Sequence, residues 1–223
     1  ETSPVIAVNS FERVKIGTVG HVLDNLDVKI QADGEITVKG PSVFQGYYKD
    51  DEKTKEAFTE DGYFMTGDIG HIDEEGFLHI TDRKKEMFKT SGGKYVAPQV
   101  LENLAKGSKF IEQTMVVGDG EKMPRASVQP DYAFAKLWAE RKHLKIGKTP
   151  EEMANSPELK ARIMKDINLL NATLGKWEQI KKIELTPTLW TIEDGLLTPT
   201  MKLKRKAVKE KFFNLYEKLY DRA

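Results

Sequence analysis

Three clusters of residues in this chain could do chemistry. The first is the segment Gly62-Tyr63-Phe64-Met65-Thr66-Gly67-Asp68. The carboxylate of Asp68, at the start of an expected strand, could accept hydrogen bonds from two neighbouring hydroxyls such as a ribose diol. A Gly-Asp pair at a strand start is also ordinary turn chemistry. Spacing alone favours the turn interpretation.

The second cluster is basic and surrounds a Gly-Gly loop. It runs Asp82-Arg83-Lys84-Lys85-Glu86-Met87-Phe88-Lys89-Thr90-Ser91-Gly92-Gly93-Lys94. An arginine fork and several lysine point charges could surround the phosphates of a ligand, and paired glycines permit close backbone approach. The same residues would suit a solvated linker. On charge alone, the two interpretations are even.

The third cluster is a Pro-containing loop that leads into the last predicted helix. It runs Leu197-Thr198-Pro199-Thr200-Met201-Lys202-Leu203-Lys204-Arg205-Lys206. Lys202 precedes the regular helix, so its ammonium could reach another domain. A charged helix start is the ordinary interpretation, and taken by itself the cluster favours it.

The composition excludes several kinds of site. The 223 residues include 35 Lys plus Arg and 35 Asp plus Glu, so the formal net charge is zero and nothing global indicates nucleic acid. The absence of cysteine excludes disulfides and thiolate chemistry, and the 4 histidines have no metal-ligand spacing. No apolar run approaches the roughly 20 residues of a transmembrane segment. We expect a cytoplasmic protein, with peripheral contact to a membrane left open.

The first third of the chain predicts an antiparallel β unit. Residues 27–30 and 35–40 alternate apolar and polar side chains around a Gly-containing turn, and residues 68–72 and 77–81 repeat the pattern. Between these hairpins, Asp50 is a candidate N-cap for a helix over 51–58. Tyr47 and Tyr48 are interpreted as buried hairpin aromatics rather than a ligand face.

After the charged stretch 82–85, where we place a domain boundary, strands and helices alternate. The patterns predict strands at 114–117, 126–128 and 183–185, and helices over 98–106, from 132 to about 143, and from 157 with an apolar stripe to Leu174. They also predict one final helix with Val208, Phe212 and Leu219 on one face. The predicted fold class is α+β: a small antiparallel β unit followed by a compact α+β unit.

Taken together and in order, the clusters resemble the motifs of the adenylate-forming superfamily, which includes acyl-CoA synthetases, luciferases and peptide-synthetase adenylation domains. Glu1-Thr2 is similar to the end of the family's aromatic-Gly-x-Thr-Glu segment, and the first cluster to its Gly-Asp motif. The second cluster resembles the hinge and Gly loop, and the third the terminal lysine loop. The third cluster and the helical insertion at about 131–175 look most like long-chain fatty acyl-CoA synthetases.

The resemblance implies a nucleotide site in the first unit. Asp68 would hold the ribose hydroxyls, Arg83 would contact the same nucleotide, and Glu1 would bind Mg²⁺. The implied substrates are ATP, a fatty acid and CoA.

The resemblance also implies a domain rotation with Lys85 at its pivot. Lys202 would bridge the carboxylate and the α-phosphate during adenylation. Lys89 and Gly92 would face the site after rotation, when the CoA thiol attacks the acyl adenylate. Met201 departs from the pattern, because much of the family has glycine there.

By the same resemblance, residues 1–84 would be the β-rich end of an AMP-binding N-terminal domain, and residues 85–223 the mobile C-terminal domain. The start at Glu1, without methionine, leads us to expect an upstream domain of the same chain that carries the phosphate loop and the acyl tunnel. The full-length protein would then be an ATP-dependent long-chain fatty acid–CoA ligase, and the chain alone would be inactive. Acyl chain length and oligomeric state are not readable from these residues.

Two alternatives stay open. A ligase that loads fatty acyl groups onto a carrier protein would use the same lysines. A non-catalytic module whose basic loops bind nucleic acid or a membrane surface would need one continuous basic patch, and the neutral charge balance disfavours it.

Overall fold

A computed structural model describes residues 1–220 and contains both helices and strands, which confirms the predicted α+β class. The chain divides into two compact units, Glu1–Met87 and Phe88–Ala223. The first unit closes with a turn in which the amides of Glu86 and Met87 donate to the carbonyl of Arg83. Among the described residues, no helix has the length and apolar character needed to cross a bilayer.

The first unit is built on one antiparallel sheet of six strands in the order β1-β2-β6-β5-β4-β3. The strands are β1 (Ala7–Val8), β2 (Gly20–Val22), β3 (Asp27–Ile30), β4 (Glu35–Lys39), β5 (Phe64–Ile72) and β6 (Phe77–Arg83). Helix α1 (Asp51–Glu56) lies between β4 and β5 in the chain, and the Asp50 carboxylate accepts from the Lys53 amide as its N-cap.

Both predicted hairpins are present because their alternation matches the pleat of the sheet. Ile36 and Val38 of β4 are buried and lie opposite Ile30 and Val28 of β3. Val38 packs with Leu26 and Phe64 in the core of this unit, and each fully buried side chain of this kind contributes about 1.5–3 kcal/mol. The apolar pairs on this face therefore favour the observed register of β3 and β4, whereas the pairing of β4 with β5 contains a register shift between Glu35 and Thr37.

The second unit contains a three-stranded sheet in the order β11-β10-β9 and a separate two-stranded hairpin, β7-β8. Its strands are β7 (Phe88–Lys89), β8 (Tyr95–Val96), β9 (Ile111–Val117), β10 (Arg125–Pro130) and β11 (Ile183–Leu185). Its helices are α2 (Pro98–Ala105), α3 (Tyr132–Arg141), α4 (Pro150–Ala154), α5 (Pro157–Asn171), α6 (Arg205–Lys211) and α7 (Phe213–Leu219). Strand β10 pairs antiparallel with β9 and parallel with β11.

Neighbouring residues of β9 pack into different hydrophobic cores. Val116 belongs to a large cluster with residues of α2 and α5, whereas Met115 packs with Trp190, Leu196 and Leu197. Neighbouring strand residues point to opposite faces of a sheet, so the sheet separates the two cores. The second core anchors the segment that leads to Lys202.

The prediction of one final helix was wrong. The helix breaks at Phe212, whose backbone angles of φ −111° and ψ 34° are not helical. At the break, the Phe212 ring packs against Trp190 with ring centroids 6.1 Å apart. The apolar stripe was nevertheless identified correctly in part, because Val208 of α6 and Leu219 of α7 are fully buried.

Candidate active site

The first unit contains a cleft of about 620 Å³ next to the ends of β5 and β6. Four residues singled out from the sequence lie on its lining, although they are far apart in the chain: Glu1, Asp68, Arg83 and Lys85. Tyr47, Thr66, Gly67 and Lys84 also line it.

Asp68 and Arg83 lie directly opposite each other in the register of β5 and β6. The Nε atom of Arg83 is 2.7 Å from Oδ1 of Asp68. Gly67, before the aspartate, has φ +72°, a backbone conformation that glycine adopts readily. Gly67 lies within β5, at the point where the register with β4 shifts, and this irregularity and the arginine together orient the Asp68 carboxylate at the cleft.

Lys84 and Glu35 connect the cleft to the end of β6. Glu35 is buried, and its two carboxylate oxygens accept from the Gly67 amide at 3.0 Å and from Lys84 Nζ at 2.6 Å. Lys84 also lies 2.7 Å from Asp33, and its amide donates to the carbonyl of Gly67. The Asp33 and Glu35 carboxylates raise the pKa of Lys84, and Lys84 in turn lowers the pKa of Asp33.

Tyr47 contributes a hydroxyl to the cleft that the sequence analysis did not select. This hydroxyl donates to Oε1 of Glu1 at 3.1 Å. Burial, followed by the hydrogen bond to Glu1, raises the pKa of Tyr47. Tyr48 is 87% exposed, so its interpretation as a buried hairpin aromatic was wrong. The Gly46-Tyr47-Tyr48 order was the available signal, and Tyr47 lines the cleft.

Glu1 is the residue expected to bind Mg²⁺. Within residues 1–220, no group of three or more His, Asp and Glu side chains is arranged to hold a metal ion. Mg²⁺ commonly takes only one or two protein carboxylates and completes its shell with water and substrate phosphates. An exposed carboxylate on the lining of a cleft fits that use.

Lys89 and Gly92 lie in and beside the β7–β8 hairpin of the second unit. Lys89 is exposed, with Nζ 5.5 Å from the centre of the Tyr95 ring. The Thr90 amide donates to the Lys94 carbonyl, and Gly93 has φ +77°, so the loop turns tightly at the glycines. The amide of Gly120 donates to the carbonyl of Lys89, which ties the hairpin to a neighbouring loop.

Lys202 lies in a compact loop closed by a bridge between Leu197 and Leu203. The Thr198 amide donates to the carbonyl of Lys202 at 2.8 Å, and the Lys202 amide donates to Thr198 Oγ1 at 3.0 Å. Met201 has φ +60°, in the left-handed region that glycine occupies without strain. The family's glycine would therefore suit this backbone, and the methionine holds the same conformation at some cost.

The structure thus brings four of the predicted site residues to one cleft in the first unit. The other three lie on two separate loops of the second unit, with Lys89 and Gly92 on one and Lys202 on the other. The second unit has its own cleft of about 370 Å³, lined by Phe110, Arg162 and Asp166 among others. Arg162 there is paired with Asp166, and none of the residues selected from the sequence lies on it.

Comparison with known proteins finds relatives that are named long-chain-fatty-acid–CoA ligases. The chain is 41% identical over 222 residues to a Mycobacterium bovis protein named long-chain-fatty-acid–CoA ligase FadD15, covering 100% of this chain and 37% of that protein. It is 42% identical over 193 residues to long-chain-fatty-acid–CoA ligase 6 of Rattus norvegicus, covering 85% of this chain and 27% of that one. The chain therefore spans well under half the length of these relatives. No protein-family model matches.

Among solved structures, the adenylation domain of a carboxylic acid reductase from Segniliparus rugosus, in complex with AMP and a co-purified carboxylic acid, has a TM-score of 0.70. The match is 25% identical and covers 91% of this chain and 32% of that one. Fold and relatives together place the chain with the adenylate-forming enzymes. Within them, the chain is homologous to the C-terminal part of the long-chain fatty acid–CoA ligases.

Proposed function

We propose that the full-length gene product is an ATP-dependent long-chain fatty acid–CoA ligase that acts in the cytoplasm. It would convert a fatty acid, ATP and CoA into acyl-CoA, AMP and pyrophosphate through an acyl adenylate. The observation that carries the proposal is the presence of Glu1, Asp68 and Arg83 on one cleft, in a chain homologous to such ligases.

The first unit would hold the nucleotide. The Asp68 carboxylate, oriented by Arg83, is suited to accept hydrogen bonds from the two ribose hydroxyls of ATP. Glu1 would hold a magnesium ion, which would neutralise phosphate charge when bound. Lys85, exposed on the lining and next to the end of β6, would be the pivot between the units.

The second unit would serve the two half-reactions with different loops. In the first, a fatty acid oxygen attacks the α-phosphorus of ATP and pyrophosphate leaves, while the Lys202 ammonium stabilises the developing negative charge. In the second, the CoA sulfur attacks the acyl carbonyl, the thiol proton is lost to solvent, and AMP leaves. Lys89 and Gly92 would face the site for this step, and alternation between the loops would shield each step from water.

Charge pairing supports the enzyme over the basic binding module. Arg83 is paired with Asp68, and Lys84 with Asp33 and Glu35. A continuous basic patch needs unneutralised cations facing solvent, and these two pairs remove part of the patch that the second cluster suggested. A carrier-protein-directed ligase is distinguished only by its acceptor.

The proposal is tested by pyrophosphate release from the full-length gene product with ATP and Mg²⁺. Carboxylic acids from acetate to palmitate are supplied with and without CoA. CoA-stimulated release that is largest with long acyl chains is the expected result. The 223-residue chain alone, which we propose to be inactive, is the matched control and should release none.

The other outcomes separate the alternatives. Pyrophosphate release that does not depend on CoA, together with transfer of acyl groups to an added carrier protein, would identify the carrier-directed ligase. No release with any acid would reject the ligase, and tight, salt-sensitive binding of the chain to DNA or anionic vesicles would then favour the binding module.

A further inference from the structure

We propose that Glu102 and Arg205 form a positioning pair that orients the loop carrying Lys202. The inference deepens the proposed function, on which its catalytic consequence rests. Arg205 lies within the third cluster, but neither it nor Glu102 is among the predicted site residues. Both lie in the second unit, Glu102 on α2 and Arg205 at the start of α6.

The pair is a closed network around one strand residue. Arg205 Nη2 donates to both carboxylate oxygens of Glu102, at 2.7 and 2.6 Å, and Nη1 donates to the carbonyl of Val116 at 3.2 Å. The amide of Val116 donates to Oε1 of Glu102 at 2.7 Å. Glu102 is 6% exposed, so these contacts form largely away from water. Charge-assisted bonds from a planar guanidinium are strongly directional.

Only Leu203 and Lys204 separate Lys202 from Arg205 in the chain. A backbone hydrogen bond also holds this short segment. The Lys204 amide donates to the carbonyl of Leu196 at 2.9 Å, and Leu196 and Leu197 are buried in the second core. The Lys202 loop is closed by its own hydrogen bonds to Thr198. These bonds join the two sides of the loop to each other, so its orientation depends on how the chain is held before and after it.

The second core holds the chain on both sides of this loop, through Leu197 before it and Leu203 and Val208 after it, and the Arg205 fork adds a directional contact at the start of α6. Apolar contacts at Leu196 and Leu197 resist separation but allow rotation, because the hydrophobic effect is non-directional. The fork to Glu102 and Val116 defines an angle as well as a distance. Buried ion pairs add little net stability compared with apolar side chains, so orientation is the property that this pair supplies best.

Hydrogen exchange in the 223-residue chain tests the positioning directly. In Glu102→Gln and Arg205→Lys, the amides of Met201, Lys202 and Lys204 should exchange at least about tenfold faster, as loss of a charged hydrogen bond predicts. Exchange in α5 should not change. The matched control is Glu184→Gln, since Glu184 is equally buried and paired with Lys160 at 2.8 Å.

Two outcomes of the hydrogen-exchange experiment would contradict the proposal. Unchanged exchange in the Lys202 loop would overturn the proposal, as would faster exchange throughout the second unit, which would make the pair a general stabilising element. The double variant Glu102→Gln with Arg205→Met separates the two roles again, because a glutamine oxygen can still accept from the buried Val116 amide. It should melt no lower than Arg205→Met alone, while the loop amides stay fast.

Partial reactions of the full-length gene product test the catalytic consequence. Arg205→Lys should reduce kcat for adenylate formation at least about tenfold, with little change in KM for ATP, because the loop is misdirected rather than lost. Thioester formation from supplied acyl adenylate should be unaffected. Equal losses in both half-reactions would overturn this consequence. If the unmodified enzyme forms no adenylate, the proposed function fails, and hydrogen exchange still decides the positioning role.

Discussion

The ion pair between Asp68 and Arg83 shows how a single aspartate can be more than turn chemistry. Spacing alone favoured a turn aspartate, whereas Asp68 lies within β5, next to a glycine with positive φ. The cross-strand register adds an arginine at 2.7 Å, and the cleft adds space for a ligand next to the carboxylate. At the scale of residues, the candidate site is therefore a set of oriented charges on otherwise ordinary local structure.

At this scale the two loop lysines should divide the reaction between them. Lys202→Ala should lower adenylate formation at least about a hundredfold, since it removes a group that would stabilise transition-state charge, and should spare thioester formation from supplied acyl adenylate. Lys89→Ala should do the reverse. Both half-reactions are measured in the full-length gene product, by pyrophosphate release and by acyl-CoA production.

Lys206→Ala is the matched control, because Lys206 is exposed on α6 close to the Lys202 loop. It should change neither half-reaction. Loss of both half-reactions in the Lys202 variant would refute this division of labour, and normal CoA-dependent turnover without Lys89 would remove that residue from the mechanism.

At the scale of elements, α5 is the main helical wall of the large core. Leu159, Ile163 and Ile167 are almost fully buried along one face. The helix begins with Ser156, whose Oγ accepts from the Leu159 amide at 3.2 Å, and with Pro157 in its first turn. Cap and stripe therefore share a residue, Leu159, so the cap fixes where the buried face starts.

Ser156→Ala should reduce the unfolding free energy of the second unit by about 1 kcal/mol, the usual cost of losing an N-cap. Urea unfolding followed by tryptophan fluorescence measures it, since all three tryptophans, Trp138, Trp177 and Trp190, are in this unit. Thr173→Ala is the control, because this hydroxyl lies just after the helix and donates, in an exposed contact, to the carbonyl of Leu170 in the last turn of α5. Equal losses in the two variants would argue against a specific capping effect.

The elements that the sequence predicted are those with a strong local signal. The two hairpins combine alternation with Gly-containing turns, and Asp50 caps α1 as expected. The two-residue strands β1, β7 and β8 are too short to carry a period and were not predicted. The break at Phe212 was also missed, because an apolar stripe continues across it and only packing against Trp190 distinguishes it.

The candidate site was predictable only as separate pieces. Local motifs selected Asp68 and Arg83, whereas Tyr47 and Glu35 join the cleft through tertiary contacts with Glu1 and Lys84 that no spacing reveals. The Glu102–Arg205 pair is a further example. Its members are far apart in the chain, and each alone looks like an ordinary charged helix residue.

At the scale of the whole molecule, neutral net charge coexists with carboxylates whose pKa values are shifted. A hydrogen bond from the Thr59 hydroxyl, and then Lys29, lowers the pKa of Asp61 from 3.8 to about 2. Lys15, and then His79, lowers the pKa of Asp73. In the second unit, backbone amides at Lys148 and Thr149 lower the pKa of Glu152. The charged forms of these groups favour the folded state.

Acid should therefore destabilise the protein in a defined window. A lowered folded-state pKa gives stability that is present above the unfolded value and is lost as pH falls through the folded value. For Asp61 that window runs from 3.8 down to about 2. The urea concentration at which half of the first unit is unfolded should decrease as the pH falls across this range. Amide hydrogen exchange in β4 and β5, followed at increasing urea concentration, measures it.

Asp61→Asn should lower the midpoint at pH 6 and make its decline in acid shallower. Glu60→Gln, a similar change at the neighbouring exposed carboxylate, is the control and should leave both features unchanged. An identical acid profile with and without Asp61 would contradict the assignment.

Lys84 and Lys85 are neighbours in the chain and both are exposed, but their structural surroundings place different constraints on substitution. A neutral residue at position 84 would leave the buried carboxylate of Glu35 without its positively charged partner, which would destabilise the fold. Substitutions at positions 84 and 35 should therefore be correlated, so that relatives keep both the lysine and the glutamate or lose both. Among residues 1–220, Lys85 forms no ion pair with a buried carboxylate, so substitution there tests the proposed pivot role without removing such a pair.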